Sequence, residues 1–353
     1  VNLLRLNLMS LCVLFFIINS LSASAASTPY NIDSFISVAP KWISTFAAGN
    51  KTGSYSYLPG RNKPDLYGAC DMVYTLYTLD SLNLTVEERQ SWVTLIQNFQ
   101  DPKTGWFGGN VTMHPKEHAT AYAVGALKLL GAKPKFPLAF MKKFNSPEKI
   151  EKMLENIPWG MIWTGSHIGA GIPSAALNTD EIDTKLMDIY FDWLNREADP
   201  ETGFWIRGDA LNKKPAKDEM GGAFHFYFIY AYLKRPLPYP EKIIDATIAL
   251  QHENGLWDSD VPYCIDLDGV YNLIQAYKQT DEYRKKDVEA AVEKALAAIV
   301  SRLNNADFVM KSYTDSHKLP GAVAALAEIQ EFMPSLLITP KPLKSVLSFS
   351  PFI

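Results

Sequence analysis

Apolar residues along this chain fall into two alternating kinds of segment. Six segments are apolar nearly all round: YGACDMVYTLYTL from Tyr67, EHATAYAVGALKLL from Glu117, HIGAGIPSAALN from His167, GGAFHFYFIYAYL from Gly221, CIDLDGVYNLIQAY from Cys264 and HKLPGAVAALAEIQ from His317. Between them, residues 33–47, 86–99, 147–156, 181–197, 239–251 and 286–304 carry charge on one side and apolar residues at helical spacing on the other. A segment apolar all round belongs inside a core, whereas one with a charged stripe keeps a face in water. The pattern therefore predicts six buried helices, each paired with an amphipathic one.

The starts of the six apolar segments lie 50, 50, 54, 43 and 53 residues apart, a period that marks a repeat architecture. A turn recurs with it: KTGSY at 51–55, KTGWF at 103–107, ETGFW at 201–205 and ENGLW at 253–257. Glycine behind Thr or Asn supplies the positive φ a tight turn needs, and the aromatic behind it is placed to plug the end of the core. Trp106, Trp205 and Trp257 are read as such plugs, with sugar stacking as the lesser reading.

Twelve helices alternating in this way describe an all-α fold, an (α/α)6 toroid of six helix-pair repeats of about fifty residues. An open HEAT-type solenoid is the competing architecture, but it exposes a helix layer on its concave face that these apolar segments tolerate poorly. No Ser/Gly-rich linker interrupts the series, so residues 26–333 are expected to form one domain. The proline-punctuated tail, 334–353, reads as a strap or a loose end.

Composition narrows the setting. Residues 1–25 pair Arg5 with a short apolar run and end in Ala23-Ser24-Ala25, the pattern of a cleaved secretory signal rather than a membrane anchor. Three Asn-x-Thr sequons, at Asn50, Asn83 and Asn110, fit a secreted glycoprotein. A net charge of −4 offers no basic patch, which argues against nucleic acid as a partner. Once Cys12 leaves with the signal, only Cys70 and Cys264 remain. Their helices are second neighbours in the ring, roughly 15 Å apart, too far for a disulfide.

Stacking the six apolar segments on their repeat places Tyr67, Glu117, His167, Gly221, Cys264 and His317 in one layer, and Asp71, Ala121, Gly171, His225, Asp268 and Gly321 one turn deeper. The deeper layer mixes three ionisable residues with three tiny ones. It predicts an open chamber lined by Asp71, His225 and Asp268, with His225 hydrogen-bonded to Asp268 on the adjacent helix and Asp71 on the opposite wall. A base facing an acid across a substrate is what general acid–base catalysis requires. The bland alternative is that both aspartates cap their helices and His225 is a satisfied core histidine. Tyr67, Glu117, His167 and Tyr271 are the expected substrate contacts. Cys264, Asp266 and His317 are ligand types for zinc, although no close-spaced pair of the H-x-x-x-H kind stands beside them.

These residues carry a family resemblance. QDPKTGWFGG (100–109) and QHENGLW (251–257) resemble the Q-x-x-x-G-x-W repeats of squalene and hopene cyclases, and the helical pattern is similar to the superfamily that also holds the protein prenyltransferase β subunits. DLDG (266–269) resembles the first three residues of the cyclases' D-x-D-D proton-donor motif, with Gly269 in place of the last Asp; the resemblance makes Asp268 a general acid. DSHKLPGAVAAL (315–326), taken with Cys264 and Asp266, looks like the prenyltransferase zinc site with its Asp and Cys in reversed order. ACDM at 69 falls where complement-type thioester domains carry Cys-Gly-Glu-Gln, and without the Gln no thioester is expected.

The expectation that follows is a secreted toroidal enzyme using acid–base chemistry without a redox cofactor, a carbohydrate-active lyase or hydrolase whose partner is a polysaccharide or small-molecule substrate. A terpenoid cyclase- or isomerase-like enzyme with Asp268 as general acid is the second reading, and a non-catalytic binding toroid the third.

Overall fold

The computed structural model describes residues 28–109, 112, 114–207 and 216–353, so the leader expected at 1–25 and the sequon residue Asn110 lie outside the described residues. The chain is all-α. In order come α1 (Asp33–Thr45), α2 (Leu66–Thr78), α3 (Val86–Gln97), α4 (Lys116–Leu129), α5 (Pro147–Glu155), α6 (Ile162–Thr179), α7 (Thr184–Glu197), α8 (Lys217–Tyr232), α9 (Pro240–Leu250), α10 (Cys264–Tyr277), α11 (Lys285–Leu303), α12 (Ala306–Ser312) and α13 (Lys318–Phe332). The short α12 was not foreseen. Two two-residue strands, β1 (Tyr30–Asn31) and β2 (Leu337–Ile338), pair in parallel and tie the beginning of the described chain to its tail.

Local chemistry sets the helix starts. Asp65 accepts the Gly68 amide at the head of α2, Thr85 and Glu88 form a reciprocal cap on α3, and Pro147 and Pro240 open α5 and α9. Burial then divides the helices into the two expected kinds. α3 buries only Trp92, Val93 and Ile96, whereas α2, α4, α6, α8, α10 and α13 are buried on nearly all sides. Each of these six packs on the next: α2 on α4, α4 on α6, α6 on α8, α8 on α10, α10 on α13 and α13 on α2.

Glycine governs how closely they pack. A Cβ on Gly171 would sit 2.6 Å from the Glu117 carbonyl, one on Gly221 2.7 Å from Ile265, and one on Gly321 2.5 Å from the Cys264 amide nitrogen. Gly171 and Gly321 of the deeper layer, and Gly221 of the layer above, therefore do more than leave space. They let neighbouring helices touch.

The recurring turn is built as its glycines require, with φ of 86°, 81°, 76° and 90° at Gly53, Gly105, Gly203 and Gly255. The glutamines ahead of two of these turns do the same work. Gln100 Nε2 donates to the carbonyls of Gly105 and Phe136, and Gln251 Nε2 to those of Gly255 and Ala291, so each closes its own turn and fastens it to the following segment. The indole N–H groups of Trp205 and Trp257 are buried on the carbonyls of Leu194 and Thr247, while the half-buried Trp106 stacks on Phe140 with ring centroids 3.6 Å apart. Asn50 and Asn83 are exposed in loops.

The tail is a strap. Lys344 N–H donates to the Thr78 carbonyl, Ser345 Oγ to Glu328, and Asn178 Nδ2 to Ser350 Oγ, which carries the strand past α2, α13 and α6 until Phe352 is buried against His118 and Phe228. Burial of Glu328 beneath this strap pushes its carboxyl up to about 7. A carboxyl raised above its unfolded value binds its proton more tightly in the folded state, so stability falls as pH rises from the unfolded value through about 7. Glu328→Gln can still accept from Ser345 and carries no charge. It is expected to exceed the parent in stability by about 2–3 kcal/mol at pH 8 and to converge with it near pH 4, as read from urea midpoints across that range.

Candidate functional site

Five of the six histidines meet at one cavity of about 200 Å3. His118 comes from α4, His167 from α6, His225 from α8, and His317 stands at the head of α13, with His114 just ahead of α4. The mouth holds the half-buried aromatics Tyr57, Trp163 and Tyr263, with exposed Lys318 beside them. Deeper walls come from Tyr122, Phe224, Leu267, Asp268 and Gly321. The lining residues of α4, α6, α10 and α13 lie in the N-terminal halves of their helices, and those of α8, Phe224 and His225, at its middle.

Hydrogen bonds fix the imidazoles. Ser166 Oγ spends its proton on the Trp163 carbonyl at 2.8 Å, so at 2.9 Å it accepts from His225 Nδ1–H, leaving His225 Nε2 with a lone pair. Asp71 is fully buried and accepts from Tyr122 Oη at 2.7 Å, from Ser316 Oγ, and from His317 Nδ1 at 2.8 Å. That carboxylate orients His317 and presents its Nε2 as a base. His118 Nδ1 lies 2.8 Å from Tyr67 Oη, while His167 Nδ1 is buried with no hydrogen-bond partner.

Electrostatics separate these groups. Burial pushes His225 down to about 3, with His114 adding to the effect, and pushes His114 down to about 3, with His317 adding; His118 and His167 are driven well below their ordinary value by burial and then by one another's neighbours. These four are neutral. His317 differs: burial lowers it, but Asp71 and then Asp315 outweigh that and raise it above its ordinary value. Asp71→Asn removes the dominant raising influence and leaves burial. The His317 ring is then expected to titrate below 6.5 instead of above it, a reversal visible in nitrogen-15 NMR of the ring.

Asp268 is the unusual acid. It is buried, both its carboxylate oxygens lack hydrogen-bond partners, and burial, with Asp266 adding, raises it well above the carboxylate range. It is therefore a neutral carboxylic acid facing the cavity.

Several expected placements change. His225 and Asp268 share the cavity but are not hydrogen-bonded to each other, because Ser166 holds the imidazole and the carboxyl is left alone. Asp71 does not line the cavity; it stands behind His317. Neither Asp71 nor Asp268 caps its helix. Asp266 does, accepting the Trp257 and Tyr263 amides at 2.9 and 3.0 Å, and it is not among the residues that line the cavity with Cys264 and His317. Cys264 and His317 do line the cavity, and the two cysteines among the described residues, Cys70 and Cys264, are free thiols.

Of the four expected substrate contacts, His167 lines the cavity. Glu117 is half-buried outside it, because α4 turns its neighbour His118 inward. Tyr67 is buried behind His118, and Tyr271 is core packing with its ring edge-on to Phe224 at 5.4 Å. Sequence reasoning missed His114 and His118. They stand at H-x-x-x-H spacing, a signal that aligning the fourth helix on Glu117 passed over.

Among the described residues, His114, His118 and His167 form a group with one ligand nitrogen each, all within 4.8 Å of one another. Three neutral imidazoles suit a divalent borderline metal. The chain matches no protein-family model, and neither a curated protein nor a solved structure is significantly similar to it.

Proposed function

We propose that the protein is an acid–base enzyme on an (α/α)6 toroid, acting as a hydrolase or lyase on a small substrate or on the terminal unit of a carbohydrate. The toroid reading is supported by the helix contacts, which run through the six buried helices and return from α13 to α2. The observation that carries the activity is Asp268, a buried carboxyl with no hydrogen-bond partner facing the same cavity as His317, whose Nδ1 is held by Asp71. Leaving a carboxyl unpartnered costs about 1–3 kcal/mol, a cost that catalytic sites bear when the group's partner is the substrate.

The roles divide accordingly. Asp268 donates a proton to a departing oxygen, and the Nε2 of His317 takes one from water or from a carbon-bound hydrogen. A cavity of about 200 Å3 holds one small ring rather than a stretch of polymer, and Tyr57, Trp163 and Tyr263 at its mouth suit the faces of a sugar. Secretion with glycosylation at Asn50 and Asn83 belongs to the same reading. A cyclase- or isomerase-like reaction is the second reading, favoured by the neutral acid beside Phe224 and Leu267. Phe224 lines the cavity with Phe228 and Tyr271 packed on it, an arrangement that supports the third reading, a non-catalytic binding toroid.

The test is a panel of oligosaccharides and small glycosides, followed by release of reducing ends and of ultraviolet-absorbing unsaturated ends, with parent and Asp268→Asn side by side. Turnover by the parent that Asp268→Asn retains in full would remove Asp268 from the mechanism.

A further inference from the structure

We propose that His114, His118 and His167 bind a divalent transition-metal ion of the zinc class in the wall of this cavity, through three imidazole nitrogens with a coordination position left open to the cavity. The three donor nitrogens already lie within 4.8 Å of one another. A tetrahedral site with metal–nitrogen bonds of about 2.1 Å places its nitrogens about 3.4 Å apart. Small rotations of the side chains close that gap, and the rings of His114 and His118 are already nearly parallel, with centroids 4.1 Å apart.

Independent features point the same way. His167 is 5% exposed, and its Nδ1 is buried without a hydrogen-bond partner, so a polar ring nitrogen in the core is left unsatisfied by the protein. Metal coordination satisfies it. His118 is braced in the manner of a ligand: its Nδ1 meets Tyr67 Oη at 2.8 Å, and Thr112 also hydrogen-bonds Tyr67. In the tautomer whose His118 Nδ1–H donates to Tyr67 Oη, Nε2 carries the lone pair a metal needs. Such outer hydrogen bonds fix the tautomer and orientation of ligating histidines. Three histidines on two helices and the segment just ahead of one of them leave room for a water or substrate oxygen as the fourth ligand, which is the pattern of catalytic rather than structural zinc.

The site is read by binding alone, so it stands or falls separately from the acid–base reading. The full chain, stripped with a chelator and dialysed against zinc or cobalt(II), is expected to take up one equivalent per chain and, with cobalt, to show the intense visible bands of a tetrahedral ion. His167→Ala and His118→Ala are expected to lower affinity at least a hundredfold, while His252→Ala, which alters the sixth histidine outside the cavity, leaves it unchanged. Failure of the parent to bind either ion, or a cobalt spectrum of octahedral form, would overturn the site. So would uptake undiminished in His167→Ala. If either alanine variant fails to fold, by its circular dichroism, the parent's stoichiometry and cobalt spectrum decide the question unaided.

Discussion

Asp268→Asn is expected to lower turnover at least a hundredfold and Asp268→Leu to abolish it, while both raise the stability of the fold. The activity loss follows from the role of a proton donor: general acid catalysis contributes about 10²–10⁴-fold, and an amide has no proton to give. The stability gain follows from the site's cost. The Asp268 carboxyl has no hydrogen-bond partner on either oxygen, and its titration is raised well above the ordinary range, first by burial and then by Asp266. A raised carboxyl binds its proton more tightly in the folded state, so its contribution is most favourable below the unfolded value and is lost as pH climbs. Leucine, branched at Cγ as aspartate is though bulkier, removes both the desolvation cost and the pH dependence. Its advantage is expected to reach about 1–3 kcal/mol near neutral pH and to shrink in acid. Thermal midpoints of parent and Asp268→Leu between pH 4 and 8 measure it directly. A variant less stable than the parent throughout that range would show the carboxyl to be a structural partner.

The repeat was legible because burial writes itself into the sequence at helical period. The six apolar segments and their charged partners fall within a few residues of the observed helices, and the turn glycines have the positive φ their position demanded. The largest error of extent is α6, which begins at Ile162, ahead of the expected start at His167, so that His167 sits in its second turn. The site was less legible because a cavity depends on rotation about each helix axis, and a ring alignment assumes that every helix starts in phase. α4 departs by one residue, which sends Glu117 out and His118 in. Function of a carboxyl is harder still to read. Asp71, Asp266 and Asp268 look alike in sequence, yet one orients a histidine, one caps a helix and one is alone. Only the neighbours that tertiary structure brings, Ser316, Tyr122 and the Trp257 amide, distinguish them.

Gly321→Val is expected to destabilise the protein by more than about 4 kcal/mol, in the range reserved for steric failure in a core. At Gly321 an added Cβ would lie 2.5 Å from the Cys264 amide nitrogen, 2.6 Å from its Cα and 2.9 Å from the Tyr263 carbonyl carbon. All three atoms are backbone, so no side chain can rotate away, and α13 must separate from α10 at the head of both helices. Those heads carry His317 on one side and Cys264 and Asp268 on the other, so the same displacement opens the cavity wall. Gly321→Ala gains about 1 kcal/mol of helix propensity, which the clash outweighs; it is expected to be destabilised by a smaller amount and to lose activity out of proportion to stability. Gly108→Ala, where an added Cβ meets nothing within 4 Å, is the matched control and is expected to be near neutral. Chemical denaturation of the three variants distinguishes the two meanings of a small residue in this layer. If Gly321 were there to leave space for a chamber, alanine would fill empty volume at little cost. If it is there to let two helices touch, alanine is already too large.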